Sequence, residues 1–189
     1  MKFTRDEALE FFKEHNKEDM YMKHALAVEA AMRHFARHYG GDEDIWGVSG
    51  LLHDIDWETT RSVEAGHPAK GGEMLRERGY EEEIVRAVLA HGWDFSGVEP
   101  LSPMEKTLYA IDELTGLITA AALVRPGRSL SDLEVKSVKK KWKDKAFAKG
   151  VDRTVIEKGC ALMNEPVDWL IEQTIAALRP VEKEIGLGE

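Results

Sequence analysis

The order of hydrophobic and polar residues predicts helix almost everywhere. Apolar positions recur three and four residues apart, and no stretch alternates as a half-buried strand would. Thr4 and Glu7 form a capping box before the apolar residues 8–12. A long helix follows over 17–39, with Met20, Ala27, Val28, Ala31 and Phe35 at helical spacing and Gly40-Gly41 as its stop. Asp42 caps a third helix carrying Ile45, Val48, Leu51, Leu52 and Ile55. Pro68 suits the first position of a fourth that ends at Gly79, and 81–91 make a fifth that ends at Gly92. Ser102-Pro103-Met104-Glu105 joins a capping box to a proline at the first helical position, and it opens an apolar helix to Val124. Pro126-Gly127 breaks the chain. Ser131 with Glu134 starts a helix through Val138 and Trp142, Asp152 caps another, and Glu165-Pro166 opens the last, which ends near Pro180. The expectation is an all-α bundle of eight or nine helices in one domain over 1–189. Its core is 1–124, and 125–189 pack on it as a helical cap.

Composition narrows the class. The 189 residues are 43% hydrophobic and 32% charged, the range of ordinary globular proteins. No apolar run reaches the roughly 18 residues needed to cross a bilayer. The first residues hold no apolar secretory core, and Cys160 has no second cysteine to pair with. A cytoplasmic protein without a membrane partner is expected. The net charge of −9 argues against nucleic acid as a partner.

The chemistry lies in where histidine and aspartate interrupt apolar faces. His15, His34 and His38 sit among charged residues. His24, by contrast, continues the stripe Met20–His24–Ala27–Ala31, and His53-Asp54 closes an apolar helix in LLHDIDWE. His67 precedes a helix start, His91 falls on the buried face of its helix, and Asp112 sits inside the apolar run LYAIDELTGLI. Any one of these alone reads as a hydrogen-bonded core residue. Together they put several ionisable groups into a core, which a folded chain accepts when they satisfy one another or hold a cation. Imidazole nitrogen with carboxylate oxygen suits Fe, Mn, Zn, Ni or Co, and suits Ca poorly.

The order His24, His53-Asp54, His67, His91, Asp112 resembles the HD-domain superfamily of all-helical metal-dependent phosphohydrolases, and more closely its small bacterial HDIG-type members. LLHDIDWETT, GHPAKGGEML, VLAHGWDF, EKTLYAIDELTGLI and the downstream ALVRPGRSLSDLEVKSVKKKWKDKAFAKGV all look like that group, so the resemblance covers nearly the whole chain. It implies that His24, His53, Asp54 and Asp112 are ligands of one metal and that His67 and His91 serve a second, with Asp54 bridging. Two divalent transition-metal ions are therefore expected, with Mg a further candidate, and they would acidify a water and hold phosphate oxygens. The resemblance also implies hydrolysis of a small phosphorylated metabolite or nucleotide. The segment after His91 lacks the doubled histidine and Gly-Tyr-Pro signature of the cyclic-di-GMP phosphodiesterases, which argues against that substrate.

Around these ligands, Asp56 and Glu58 are candidates to orient the water or move its proton, alongside Asp54. Arg61 and Lys70 are candidate phosphate contacts. Trp93 or Phe95 could stack on a base or close the loop. Glu113 reads as a helix-surface acid, and Thr115, one turn from Asp112, is spaced to bond it. Residues 136–149 hold seven lysines and one acid, a net +6 that leaves −15 for the rest of the chain. Lys139 and Lys141 in this arm are candidates for drawing in a polyanionic substrate. Two alternatives use the same fold: a mixed-valent di-iron oxygenase with the same six ligands, and a non-catalytic metal- or nucleotide-binding regulatory module.

Overall fold

The computed structural model describes residues 2–61 and 66–188. Its helices are α1 (Arg5–His15), α2 (Asp19–Tyr39), α3 (Glu43–Leu52), α4 (Trp57–Thr60), α5 (Ala69–Arg78), α6 (Glu82–His91), α7 (Trp93–Ser96), α8 (Pro103–Leu123), α9 (Val135–Trp142), α10 (Arg153–Met163) and α11 (Val167–Leu178). No strand occurs among the described residues, so the chain is all-α as its patterning predicts. The excess over eight or nine helices comes from the single turns α4 and α7, which are too short to show a period.

Caps set most of the boundaries. Both capping boxes form, Thr4 with Glu7 and Ser102 with Glu105. Asp42 and Asp152 accept amide hydrogens at the starts of α3 and α10. Gly40 and Gly79 take the left-handed conformation that ends α2 and α5. Three expectations shift. Helix α2 starts at Asp19 because the Glu58 carboxylate accepts the backbone N–H of Lys17 and Glu18, holding the chain out of the helix. Pro68 is the residue before α5 and not its first. Ser131 does not start α9. Leu130 and Leu133 are buried there, and Arg125 pairs with Asp132, so the chain turns and becomes helical only after Glu134.

Helices α2, α3 and α8 make the centre. Val28, Met32 and Phe35 of α2 meet Leu108, Ile111 and Leu114 of α8 in one buried cluster. Phe11 and Phe12 of α1 pack with Leu51, Leu52, Leu75 and Val88 in a second. From the C-terminal part, α11 packs on α2 and α8, and α10 packs on α8. His34 is less exposed than its charged neighbours suggest, because its Nε2 meets Gln173 Oε1 of α11 at 2.9 Å. Met20 departs from the core stripe and is 63% exposed.

The α8–α10 contact depends on Gly159. A Cβ there would lie 2.5 Å from Ala110 Cβ and 2.7 Å from Ala110 Cα, both on a rigid helix. Gly159→Val is therefore expected to destabilise by about 1–3 kcal/mol, lowering Tm by about 2–4 °C per kcal/mol. A thermal melt matching that of the parent would show that the two helices are not in close contact.

The lysine-rich segment is ordered by one residue. The Arg153 guanidinium donates to the carbonyls of Trp142, Asp144, Phe147, Ala148 and Val151, and so gathers the loop after α9 around itself.

Candidate metal centre

Six polar side chains reach one seam between these helices. His24 comes from the second turn of α2, His53 and Asp54 from the end of α3, His67 from the residue before Pro68, His91 from the last position of α6, and Asp112 from the middle of α8. Five of them, all but His53, line an open cavity of about 670 Å³ together with Trp57, Trp93, Phe95, Tyr109, Glu113 and Asp152. His53 is buried beneath that surface.

Three of the imidazoles are fixed by what their Nδ1 atoms touch. His53 Nδ1 donates to the Gly50 carbonyl at 2.7 Å, and His91 Nδ1 donates to the Val88 carbonyl at 2.5 Å. His67 Nδ1 donates to Asp56 Oδ1 at 2.8 Å. Carbonyl oxygens only accept, so His53 and His91 must carry their protons on Nδ1. In the neutral rings the Nε2 lone pairs then point inward. His67 Nε2 and His91 Nε2 lie 3.0 Å apart, and His53 Nε2 is 3.3 Å from His24 Nε2. Lone pairs that close repel unless a proton or a cation lies between them. Two nitrogens each about 2.1 Å from one ion would be separated by about 3.0–3.4 Å, so the spacing fits a shared metal.

The carboxylates complete two groups. His24, His53 and Asp112 offer donors within 4.8 Å of one another, as do His53, Asp54 and His91. Asp112 Oδ1 is 2.9 Å from His24 Nε2 and 3.3 Å from His53 Nε2. The two oxygens of Asp54 face opposite ways. Oδ2 is 3.4 Å from His53 Nε2 and 3.8 Å from His24 Nε2. Oδ1 is 3.5 Å from His67 Nε2 and 3.6 Å from His91 Nε2. Burial acts to raise the carboxyls of Asp54 and Asp112, yet the imidazoles, His53 foremost, hold both well below the usual carboxylate range. Burial likewise acts to lower His53, and the two aspartates overcome it and hold the ring well above its ordinary value. The carboxylates thus favour positive charge on His53, and a divalent cation would supply the same charge.

The surrounding candidates divide. Asp56 is fully buried. It accepts from His67 at one oxygen and from the Gly71 amide at 2.9 Å at the other, so it orients a ring of the cluster and does not face the cavity. Glu58 turns its carboxylate to the amides of Lys17 and Glu18. Arg61 contacts the Tyr21 hydroxyl and pairs with Glu18 at 3.4 Å, while Lys70 pairs with Glu73 at 3.0 Å. Lys139 pairs with Asp168 at 2.7 Å, and Lys141 Nζ lies 4.7 Å from the centre of the Phe147 ring. None of these last five belongs to the described cavity wall. The Thr115 hydroxyl donates to the Asp112 backbone carbonyl at 2.8 Å, not to its carboxylate.

Sequence patterning missed Glu113. It faces the cavity, accepts the Asp152 amide at 3.1 Å, and is pushed up to about 8 by burial and by the charge of Asp112. The residues that cover it come from the start of α10, and its flanking residues carry no sign of that. Trp57, Tyr109 and Lys158 were missed because their contacts come from other elements of the fold. Trp57 stands edge-on to His67, and Lys158 lies over Trp93.

A helical frame that turns four imidazoles and two carboxylates into one cavity defines a class of protein suited to divalent metals. The HD domain family matches residues 21–117, about half of the chain, and this chain belongs to it. That superfamily consists generally of metal-dependent hydrolases. Among curated relatives, the chain is 28% identical over 113 residues to Ribonuclease Y of Thermotoga petrophila, a match covering 60% of this chain and 20% of that protein. It is 31% identical over 113 residues to Ribonuclease Y of Fervidobacterium nodosum, with the same coverage. It is 33% identical over 116 residues to Ribonuclease Y of Alkaliphilus metalliredigens, covering 60% of this chain and 22% of the relative. The chain thus spans about a fifth of the relatives it matches. No solved structure matches it.

These relatives correct the expectation about partners. The small phosphorylated metabolite or nucleotide, with nucleic acid set aside on the net charge of −9, does not stand against relatives named as ribonucleases. The net charge of −9 sums a −15 body and a +6 arm, so it does not describe any one part of the surface. Among the described residues no helix is long and apolar enough to cross a membrane.

Proposed function

We propose that this chain is a metal-dependent phosphodiesterase that cleaves single-stranded RNA at a two-ion centre. The observation that carries this reading is the way Asp54 divides the donors. Oδ2 faces His24 and His53, which with Asp112 would hold one ion, and Oδ1 faces His67 and His91, which would hold the other. The donor chemistry suits Fe, Mn, Ni, Co or Zn. When bound, the ions would acidify a water and offset charge on the phosphoryl oxygens. Asp56 keeps His67 aimed inward, and His53 and His91 are kept aimed by backbone carbonyls. The Ribonuclease Y relatives support a strand as the substrate.

The lysine arm supports the same reading. Lys140, Lys143, Lys145 and Lys149 are exposed, and the arm leads directly to Gly150 and Asp152 in the cavity wall. Lys139 and Lys141 belong to the same arm. Such a run fits a phosphate backbone.

A labelled single-stranded RNA oligonucleotide should be cut with Mn2+ present and spared with a chelator. The double variant Lys143→Gln, Lys145→Gln should bind the strand more weakly, and its plot of log affinity against log salt should flatten by about 1.4. An unchanged slope would remove the arm from the account. RNA left intact with each of the five metals would overturn the proposed function.

A further inference from the structure

We propose that Phe95 and Trp93 form a stacking subsite for one nucleobase beside the phosphate held at the centre, an inference that rests on the phosphodiesterase reading. Both line the cavity on the single turn that follows His91. Phe95 is 75% exposed, a large apolar surface left open to solvent. The turn that carries it is held in place: the Ser96 hydroxyl donates to the Leu89 carbonyl at 2.7 Å and accepts the Val98 amide at 3.0 Å. Trp93 is braced as well. Lys158 Nζ lies 3.7 Å from its ring centre and the Tyr109 ring stands edge-on at 5.9 Å. Asp94 ties those two together, pairing with Lys158 at 3.1 Å and accepting from the Tyr109 hydroxyl at 3.3 Å. An aromatic wall ordered in advance loses little entropy on binding.

The charge of the wall says what it receives. Among the described residues the cavity wall itself holds no lysine or arginine; beyond the centre it carries Glu113, Asp152 and Asp94, and of these Asp94 is paired with Lys158, which lies over Trp93. The part of the substrate next to the reacting phosphate is therefore not a second anion. A flat, neutral group with N–H donors fits, and a nucleobase offers both a π face for the rings and donors for the acids. The phosphates further along the strand would run over the lysine arm, outside the cavity.

The test compares two diesters with the same leaving group, the p-nitrophenyl ester of uridine 5′-phosphate and methyl p-nitrophenyl phosphate, which has no base. The parent should prefer the uridine ester. Phe95→Ala should raise its KM about tenfold, with a far smaller change for the methyl ester, and Phe95→Tyr should restore most of the loss. In a second measurement, a short RNA should bind the parent more tightly than the same RNA with abasic residues, and Phe95→Ala should erase the difference. Equal use of both esters, with Phe95→Ala equally active, would overturn the stacking subsite and leave the phosphodiesterase intact. If neither ester is cleaved, the phosphodiesterase reading fails, and equal binding of the two RNAs then overturns the subsite as well.

Discussion

Asp54→Ala is expected to lose both metal ions and, with them, all measurable hydrolysis. Its two carboxylate oxygens divide between the histidine pairs, Oδ2 at 3.4–3.8 Å from one pair and Oδ1 at 3.5–3.6 Å from the other. Removing them takes a ligand from each ion and one of the two negative charges that offset the cations. The rate should fall by at least ~10³, since the lost charge stabilisation amounts to several kcal/mol. The fold should survive, because Asp54 sits at the end of α3 and contributes nothing to the buried clusters that join the helices. Metal analysis together with circular dichroism checks this. A folded Asp54→Ala protein that keeps its full metal content would show that Asp54 is not a ligand.

The second large effect is selective. His67→Ala should weaken one ion and spare the other, because His67 Nε2 meets Oδ1 of Asp54 and His91 Nε2, on the side of Asp54 away from His24 and His53. Activity should fall steeply, as a two-ion centre uses both ions to hold the attacking and leaving oxygens. Asp56→Asn supplies a graded version. Asp56 is fully buried and holds His67 Nδ1, so its loss should weaken the same ion about 10–100-fold, the usual cost of removing a ligand's supporting hydrogen bond. Calorimetric titration with Mn2+ resolves the two affinities. If His67→Ala weakened both ions alike, the division of the donors into two groups would be wrong.

The frame was largely legible in the chain because caps and glycines act locally. Thr4, Asp42, Gly79 and Ser102 end or begin helices through contacts within a turn of themselves. Ser131 failed as a start signal because a long-range demand, the burial of Leu130 and Leu133, overrode it. His24, His53, His91 and Asp112 stood out because each puts a polar group on or at the end of an apolar face, a cost that patterning exposes, and the family resemblance joined Asp54 and His67 to them. Glu58 and Glu113 were misread for the opposite reason. An acid on a polar surface looks the same whether it caps an amide forty residues away, faces a cavity, or meets only water. What decided them was where the α1–α2 connection and the start of α10 come to lie, which no local pattern encodes. The partner was misread at a coarser level still, because a summed charge erases where the lysines lie.

A centre for two ions divided by Asp54 underlies all of these expectations. Its most direct test is the metal content of the parent and of His91→Ala, each purified without chelators and measured by elemental analysis per chain. About two ions are expected in the parent and about one in His91→Ala. The same metal content in both proteins would contradict it.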